Sequence, residues 1–396
     1  MSAPGVVVIG GGQAAASTAI TLRQLGYGAS ITIVAEEESL PYERPPLSKG
    51  LLVDPATPVT LFDADVYDAQ DITVLHGVAA TAVDPLLHTV TTSGGASLTY
   101  SSLVFATGSR NRTAPWTGAD LAGVHLLRTR ADAEDLGREL RAGRRVVVVG
   151  GGFVGLEIAS AAASVGCDVT VVEVGPQLLG RVLSQPLADV VADRHRDRGV
   201  RVLTGTRVAA LDGDDHVGLE ATVVGIGAVA EDSLAGAAGL KVDDGIVVDD
   251  HLRALGHDDI YAVGDCARFP ESGSGRAIRL ESVQNACDQG VTVARAITGS
   301  PAPYQDLPWF WSDQGDLKIQ VAGLRLPEDQ VHHLADDAGR HAVYAIREGR
   351  LVAVETLDWP GEHLAARRVL AANEFIPAAA IQNTSLSALL RARRSA

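Results

Sequence analysis

The hydrophobic positions of this chain fall into short unbroken runs, many of them rich in β-branched residues and followed by glycine. The first run, residues 6–9, leads directly into the motif GGGQAA at 10–15, and a helix is predicted from there to about Leu25. Unbroken apolar runs are typical of parallel strands that are buried on both faces. The next run, 31–34, ends near Glu36, so the segment predicts a complete βαβ unit.

The same pattern is repeated in the middle of the chain. An apolar run at 146–149 precedes the motif GGGFVG at 150–155, a predicted helix reaches about Val165, and a run at 169–172 ends at Glu173. The repeat is one of architecture, because the two units share the order of their elements and no short sequence period. It predicts two domains of the same type.

Further strands are predicted from apolar runs that end in glycine-bearing turns. They cover residues 72–75, 89–92, 103–109, 221–227 and 260–265. The pattern changes after about Leu307, where strands at 317–322, 341–346 and 351–356 precede helices at 362–372 and 385–394. The change indicates an antiparallel sheet that carries two helices.

The fold predicted from these elements is an α/β fold with two Rossmann-like dinucleotide-binding domains and an α+β C-terminal domain. The first dinucleotide-binding domain is expected to comprise residues 1–113 and 243–306. The second, residues 114–242, is inserted in it, and the C-terminal domain covers 307–396. A length of 396 residues agrees with more than one hydrophobic core.

The two glycine motifs have the composition and position of phosphate-binding loops. Each lies between a buried strand and a helix, where backbone amides and the helix dipole attract a pyrophosphate and missing side chains let it approach. A glycine motif alone is weak support, and purely structural turns are the alternative. The loop residues predicted to bind are Gly10, Gly12, Ala14 and Ala15 in the first and Gly150, Gly152, Gly155 in the second.

Two carboxylates stand at the ends of the second strands of the βαβ units. Glu36 and Glu173 each follow their loop by about 20 residues, the spacing at which a carboxylate accepts hydrogen bonds from ribose hydroxyls. Solvated surface charge is the alternative for both. The charge of Glu173 would also repel a 2′-phosphate, which favours NADH over NADPH, whereas Arg181 could weaken that preference.

Composition excludes several classes of protein. The net charge of −16 argues against general nucleic-acid binding, and no apolar run is long enough to cross a bilayer. Cys167, Cys266 and Cys287 stand far apart, so they are expected to be buried small side chains and not a disulfide or metal site. Without a basic leader at its start, the chain is expected to be soluble and cytoplasmic, with no metal.

Motifs outside the loops resemble those of a known superfamily. The two loops, an Ala-Thr-Gly segment at 106–108 and a strand ending Ala-Val-Gly-Asp at Asp265 resemble glutathione-reductase-like flavoproteins over nearly the whole chain. The redox cysteines that many of those enzymes carry after the first βαβ unit are missing. Instead, PYERPPLSK at 41–49 resembles the oxygenase-coupled NADH-dependent ferredoxin reductases, as do RLESVQNA at 279–286 and WFWSDQ at 309–314.

The resemblance implies two cofactors, FAD and NADH, and one partner protein. Hydride would pass from NADH to FAD, and electrons would leave singly to an iron–sulfur ferredoxin of the 2Fe–2S type that serves a cytochrome P450 or ring-hydroxylating dioxygenase. The residues implied for FAD are Gly12, Ala14, Glu36, Arg44, Lys49, Val78, Thr107, Gly108, Arg128, Asp265 and Val283. Those implied for NADH are Phe153, Val154, Glu157, Glu173 and Gly227.

Lys49 and Glu157 are the candidates for a direct role in the reaction. They are predicted to pair across the two nucleotide domains, with Lys49 stabilising negative charge on reduced flavin, although both could simply stabilise the fold. Val283 departs from the family, in which several relatives carry tryptophan. Arginines are the candidates for docking an acidic ferredoxin: Arg295, Arg367, Arg368, Arg391, Arg393 and Arg394.

Other functions stay open at this point. An NADH-dependent reductase of a quinone or an organic radical could use the same two nucleotide sites. A redox-sensing flavoprotein that resembles apoptosis-inducing factor is a second alternative. Flavin monooxygenases are disfavoured, because their phenylalanine-glycine-histidine signature is missing between the loops.

Overall fold

The computed structural model describes residues 4–211, 221–271 and 275–395. The side chain of Arg394, one of the predicted docking arginines, lies outside the described part. The strands are β1 (Gly5–Ile9), β2 (Ile31–Val34), β3 (Ile72–Leu75), β4 (Ala80–Asp84), β5 (Thr89–Thr92), β6 (Ser97–Phe105), β7 (Ser109–Asn111), β8 (Val124–His125), β9 (Arg145–Val149), β10 (Asp168–Val172), β11 (Arg201–Leu203), β12 (Ala221–Val224), β13 (Ala228–Ala230), β14 (Ile246–Val247), β15 (Ile260–Ala262), β16 (Ala267–Pro270), β17 (Ala277–Ile278), β18 (Trp309–Gln314), β19 (Leu317–Gly323), β20 (Gln330–Ala335), β21 (His341–Arg347) and β22 (Arg350–Leu357).

Helices connect most of these strands. They are α1 (Gln13–Gln24), α2 (Gly50–Val53), α3 (Ala64–Ala69), α4 (Arg130–Glu139), α5 (Phe153–Ser164), α6 (Gln185–Asp197), α7 (Ser233–Ala237), α8 (Val283–Ile297), α9 (Pro360–Ala371) and α10 (Leu386–Ser395). Short 3-10 helices lie at Pro45–Ser48, Gly264–Cys266 and Ala378–Ile381.

The chain forms two compact units. Unit 1 comprises residues 1–44, 59–110 and 228–306, and unit 2 comprises 45–58, 111–227 and 307–396. The central sheet of unit 1 has the order β3-β2-β1-β6-β5-β4, with β15 also paired to β6. Strands β3, β2, β1, β6 and β15 are parallel and have the order of a dinucleotide-binding fold. Strands β4 and β5 extend the sheet as an antiparallel hairpin.

The core of unit 1 follows from the apolar runs of the sequence. Every residue of β1 is buried, as expected for a central strand covered on both faces. Helices α1 and α8 pack closely, because Gly290 in α8 has no side chain: a Cβ there would lie 3.0 Å from Thr18 Oγ1 and 3.1 Å from the carbonyl oxygen of Ala14.

Unit 2 contains two sheets. The first is parallel, with the order β11-β10-β9-β12-β8, and the second is antiparallel, with the order β18-β19-β22-β21-β20. Helix α9 packs on the antiparallel sheet through Ala366 and Val369, which are fully buried. Unit 2 therefore joins a second dinucleotide-binding sheet to the sheet predicted after residue 307.

The predicted fold class is confirmed, with two Rossmann-like sheets and an α+β C-terminal part. Several strands match their predicted bounds, among them β2, β3 and β5. Two strands are shorter than predicted. The strand predicted at 260–265 ends at Ala262, because a 3-10 helix follows at Gly264–Cys266, and the strand predicted at 221–227 ends at Val224. The predicted domain boundaries stay a prediction. None of the described helices combines the length and hydrophobicity needed to span a bilayer.

Candidate functional site

The first glycine loop joins β1 to α1 and leaves the start of the helix open. Gly10 has a φ of +127°, and a Cβ there would lie 2.0 Å from the carbonyl oxygen of Ala106, so only glycine fits. Gly12 is the N-cap of α1, no side chain caps the helix, and a Cβ on Gly12 would meet no atom within 4 Å. No side chain caps the first amides of α1, and the loop leaves space beside Gly12, as a phosphate would require.

The second loop repeats this construction between β9 and α5. Gly150 has a φ of +112°, and a Cβ there would lie 2.2 Å from the carbonyl oxygen of Gly225. Gly152 caps α5 without a side-chain hydrogen bond and also faces open space. Gly155 packs against the loop backbone, with 2.2 Å between its would-be Cβ and the oxygen of Gly150. Both loops therefore fit a pyrophosphate.

The two predicted ribose carboxylates differ in their surroundings. Glu36 is exposed. Glu173 is held by its own loop, because Oε2 accepts a hydrogen bond from the amide of Gly151 at 2.7 Å and Oε1 accepts one from the amide of Gly175 at 2.6 Å. Each carboxylate oxygen can accept further hydrogen bonds, so these contacts orient Glu173 and leave it able to accept from hydroxyls.

Arg44 has an acidic partner in unit 1. Its Nη2 lies 2.7 Å from Oε1 of Glu37, and Tyr42 donates its hydroxyl to Oε2 of the same carboxylate at 2.5 Å. The sequence pattern pointed to Glu36 and not to Glu37, because no local pattern relates Glu37 to Arg44 seven positions later.

Asp265 lies on the short 3-10 helix that follows β15. Ser109 donates its hydroxyl to Asp265 Oδ2 at 2.8 Å, and Thr107 donates its hydroxyl to the carbonyl oxygen of Glu231 at 2.5 Å. Gln289 accepts a hydrogen bond from the amide of Gly264 at 2.7 Å, so a buried side chain of α8 fixes this turn. Ser109 and Gln289 were not assigned a role by the sequence.

The remaining residues predicted for FAD differ in burial and in unit. Ala14 and Ala15 are buried in α1, and a Cβ on Gly264 would lie 3.2 Å from Cβ of Ala14. Val78 is half-buried against the core of unit 1, and Val283 is the half-buried first residue of α8. Gly108 has a φ of +73°. Lys49 and the half-buried Arg128 belong to unit 2.

Residues predicted for the second nucleotide are brought together in unit 2. Phe153 packs edge-to-face on Phe310, with 5.0 Å between ring centroids, whereas Val154 is exposed. Arg181 is exposed and reaches Gly227: a Cβ on this glycine would lie 3.3 Å from Arg181 Nη2. Arg181 therefore belongs to the same region as the predicted residue Gly227.

The predicted pair of Lys49 and Glu157 is present in unit 2. Lys49 Nζ lies 2.9 Å from Glu157 Oε2 and also donates to the carbonyl oxygen of Pro45 at 3.2 Å. Ser48 donates its hydroxyl to Glu157 Oε2, and Ser312 donates to Oε1 at 2.6 Å. Glu157 is buried, and its carboxylate forms an ion pair with one ammonium and accepts hydrogen bonds from two hydroxyls, as a buried charge requires.

An aromatic cluster lies at the start of the antiparallel sheet. Trp309 and Trp311 stack with 5.6 Å between ring centroids, and Cζ of Arg367 lies 3.7 Å from the centroid of Trp309. This is a cation–π contact. His363 is also near, with 5.8 Å between its ring centroid and that of Trp309.

No disulfide joins the three cysteines in the described part of the chain. The expectation of three buried side chains is correct for Cys266 and wrong for Cys167 and Cys287, which are half-buried. Burial raises the pKa of the Cys266 and Cys287 thiols, which disfavours the reactive thiolate.

Comparison with known proteins gives consistent matches over the chain. The pattern of the family described as pyridine nucleotide-disulphide oxidoreductase matches residues 4–290, and that described as reductase C-terminal matches 309–390. Rhodocoxin reductase from Rhodococcus erythropolis is 40% identical over 92% of this chain and 89% of its own length. A ferredoxin–NAD(P)(+) reductase from Sphingomonas is 39% identical over 94% of each chain. In a crystal structure of a covalent putidaredoxin reductase–putidaredoxin complex, the matching chain superposes with a TM-score of 0.94 at 32% identity, covering 100% of both chains.

Proposed function

We propose, from the premise that this chain belongs to the pyridine nucleotide-disulphide oxidoreductase family and within it to the ferredoxin reductases, that it transfers electrons from NADH to an iron–sulfur ferredoxin. The family uses FAD and NAD(P)H. The observation that carries the proposal is the pair of glycine loops, each of which leaves the N-terminus of a 12-residue helix open.

FAD is assigned to the first loop. When bound, FAD takes a hydride and gives up its electrons one at a time, which matches a two-electron donor to a one-electron acceptor. Gly10, Gly12 and the amides of α1 would hold its pyrophosphate, and Asp265 would accept hydrogen bonds from ribityl hydroxyls in the orientation that Ser109 gives it. The other residues implied for FAD by resemblance are part of this proposal.

NADH is assigned to the second loop in unit 2. Gly150, Gly152 and the amides of α5 would hold the pyrophosphate. Glu173 is oriented by the amide of Gly151, in the glycine loop, and by that of Gly175, and its charge would repel a 2′-phosphate. This supports a preference for NADH, which Arg181 opposes from its position beside Gly227.

Lys49 and Glu157 are assigned to the reaction itself. Their ion pair is partly buried, with side-chain exposures of 23% and 7%. An ammonium group at this position can stabilise negative charge nearby. We assign Lys49 to the stabilisation of negative charge on reduced flavin and Glu157 to the orientation of Lys49.

The partner is assigned as a 2Fe–2S ferredoxin that serves a cytochrome P450 or a ring-hydroxylating dioxygenase. The motif PYERPPLSK at 41–49 and relatives such as rhodocoxin reductase support this assignment. A cytoplasmic location is part of the proposal. The lack of a disulfide among the described cysteines is in keeping with a reducing compartment.

The test is the colour and turnover of the purified protein. We expect a yellow protein that NADH bleaches and that reduces a 2Fe–2S ferredoxin, with much weaker activity when NADPH replaces NADH. Quinones and organic radicals serve as alternative acceptors in the same assay. A colourless preparation that FAD does not reconstitute would contradict the proposal, and so would turnover with quinones but no ferredoxin.

A further inference from the structure

A row of buried polar side chains leads from α6 to Glu157 within unit 2. His195 and Gln314 are fully buried, and Ser312 is 1% exposed. His195 Nε2 lies 2.7 Å from Gln314 Oε1, and Gln314 Nε2 lies 3.3 Å from Ser312 Oγ. Ser312 Oγ lies 2.6 Å from Glu157 Oε1. These contacts form one continuous chain of hydrogen bonds.

Three separate elements supply the members of this chain. Ser312 and Gln314 are two positions apart in β18, so they point to the same face of the strand. Glu157 lies in α5 and His195 in α6. The far oxygen of Glu157, Oε2, accepts from Lys49 Nζ at 2.9 Å and from the hydroxyl of Ser48. The chain therefore ends on the ion pair assigned to the reaction.

When Glu157 is ionised, only one arrangement of donors and acceptors satisfies this chain of hydrogen bonds. A carboxylate only accepts, so Ser312 must donate its single hydroxyl proton to Glu157. The oxygen of Ser312 must then accept from the amide nitrogen of Gln314. This turns the amide oxygen of Gln314 toward His195, whose Nε2 must carry a proton.

The surroundings of His195 agree with this order. Burial lowers the pKa of His195, and the Gln314 hydrogen bond only partly opposes that effect, so the ring is neutral near pH 7. With its proton on Nε2, the other ring nitrogen is an unprotonated acceptor. Nδ1 has no hydrogen-bond partner among the described residues.

We propose that Ser312, Gln314 and His195 are positioning residues that hold the Glu157 carboxylate toward Lys49, and that the charge of Glu157 fixes the tautomer of His195 through Gln314 and Ser312. The importance of this hydrogen-bond chain for electron transfer rests on the function proposed above. The effect of Glu157 on the tautomer of His195 does not rest on that function, because it involves only side chains of unit 2.

Glu157→Gln tests the control of the tautomer. Lys49 only donates, so it requires the amide oxygen of the new glutamine at the position of Oε2, and the amide nitrogen then faces Ser312. Ser312 then accepts from this nitrogen, and its own hydroxyl proton is satisfied only if it donates to Gln314. This donation reverses the Gln314 amide and moves the proton of His195 from Nε2 to Nδ1. Nitrogen-15 NMR of histidine-labelled protein distinguishes the two tautomers, with His195→Gln to assign the signal.

Two further variants make this test decisive. Ser312→Ala breaks the chain of hydrogen bonds, so we expect a mixture of His195 tautomers. This variant keeps the test available if Glu157→Gln fails to fold. Ser160→Ala removes a different buried hydroxyl, one in α5, and should keep the wild-type tautomer. The inference is wrong if the wild type has its proton on Nδ1, or if neither Glu157→Gln nor Ser312→Ala changes the tautomer.

The positioning role is tested by combining Ser312→Ala with Lys49→Met. We expect Ser312→Ala to lower the rate constant for FAD reduction by NADH roughly three- to tenfold, the effect of one lost hydrogen bond. The same substitution should have no further effect in the Lys49→Met background, because its action passes through Lys49. An equal effect in both backgrounds would indicate a merely structural role. If the protein does not bind FAD, the proposed function is wrong. The NMR measurement still shows whether Glu157 determines the tautomer of His195.

Discussion

His363 is a buried histidine whose protonation opposes folding. It is 3% exposed in α9, and neither ring nitrogen has a hydrogen-bond partner among the described residues. Burial lowers its pKa from 6.5 to about 4, and the nearby Arg367 acts in the same direction. Between these two pH values the unfolded chain binds a proton that the folded chain does not. The stability that His363 contributes is therefore full above pH 6.5 and is lost as the pH falls toward 4.

His363→Leu should remove this part of the acid sensitivity. From the two pKa values, the free energy of unfolding of the wild type should fall by about 2 kcal/mol between pH 7 and pH 5 because of this residue alone. Urea unfolding at the two pH values measures the change. The exposed His76, replaced by leucine, is the control and should leave the wild-type pH dependence intact. Equal pH dependence of the His363→Leu variant and the wild type would contradict the prediction.

At the scale of elements, α6 is attached near both ends to the antiparallel sheet of unit 2. At its start, Glu355 of β22 accepts hydrogen bonds from the amide of Ser184, at 3.0 and 2.9 Å, and from its hydroxyl, at 2.6 Å. Arg325 Nε lies 3.0 Å from the same carboxylate. A negative charge at a helix N-terminus is favourable. Near the end of α6, His195 is bonded to Gln314 of β18.

Glu355→Ala should destabilise the fold more than an ordinary glutamate substitution. It leaves Arg325 and the donors of Ser184 without their carboxylate, which we expect to lower the free energy of unfolding by about 2–4 kcal/mol. Glu328→Ala is the matched control, because Glu328 is exposed, and it should change stability by less than about 0.5 kcal/mol. Chemical unfolding of both variants gives the comparison. If the two variants are equally stable, the attachment of α6 by Glu355 is unimportant.

At the scale of the whole molecule, the net charge of −16 opposes an acidic partner. Docking of an acidic ferredoxin would therefore need local positive charge. Among the candidate arginines, Arg368 is exposed in α9, next to the Arg367 that covers Trp309. Arg393 is already paired with Glu374 at 2.7 Å. Arg368 is therefore the candidate to test first.

Arg368→Glu should slow the reduction of ferredoxin and weaken its dependence on salt. At 0.1 M salt the screening length is about 10 Å, so raising the ionic strength should lower the second-order rate constant of the wild type. We expect roughly a three- to tenfold loss in the variant at low salt. Arg196→Glu, at an exposed position of α6, is the control of equal charge change. Stopped-flow rates over a range of salt concentrations would show whether the two variants differ, and identical losses would exclude a local role of Arg368.

The sequence by itself determined the two βαβ units, both glycine loops and the family. These features depend on neighbours in the chain: an apolar run predicts a buried strand such as β1, and the glycines that follow it give the open start of α1. The pairing of Lys49 with Glu157 was also predictable, although only through resemblance and not from local pattern.

Only the tertiary structure decided which polar groups meet. Ser312 and Glu157 are 155 positions apart, and His195 and Gln314 are 119 apart, so no local pattern relates them. Their contact depends on how α5, α6 and β18 pack. The same holds for Glu173, whose carboxylate turns back onto the amide of Gly151. A run of residue types predicts an element and its buried face, whereas the partner of a buried polar group is set by packing in three dimensions.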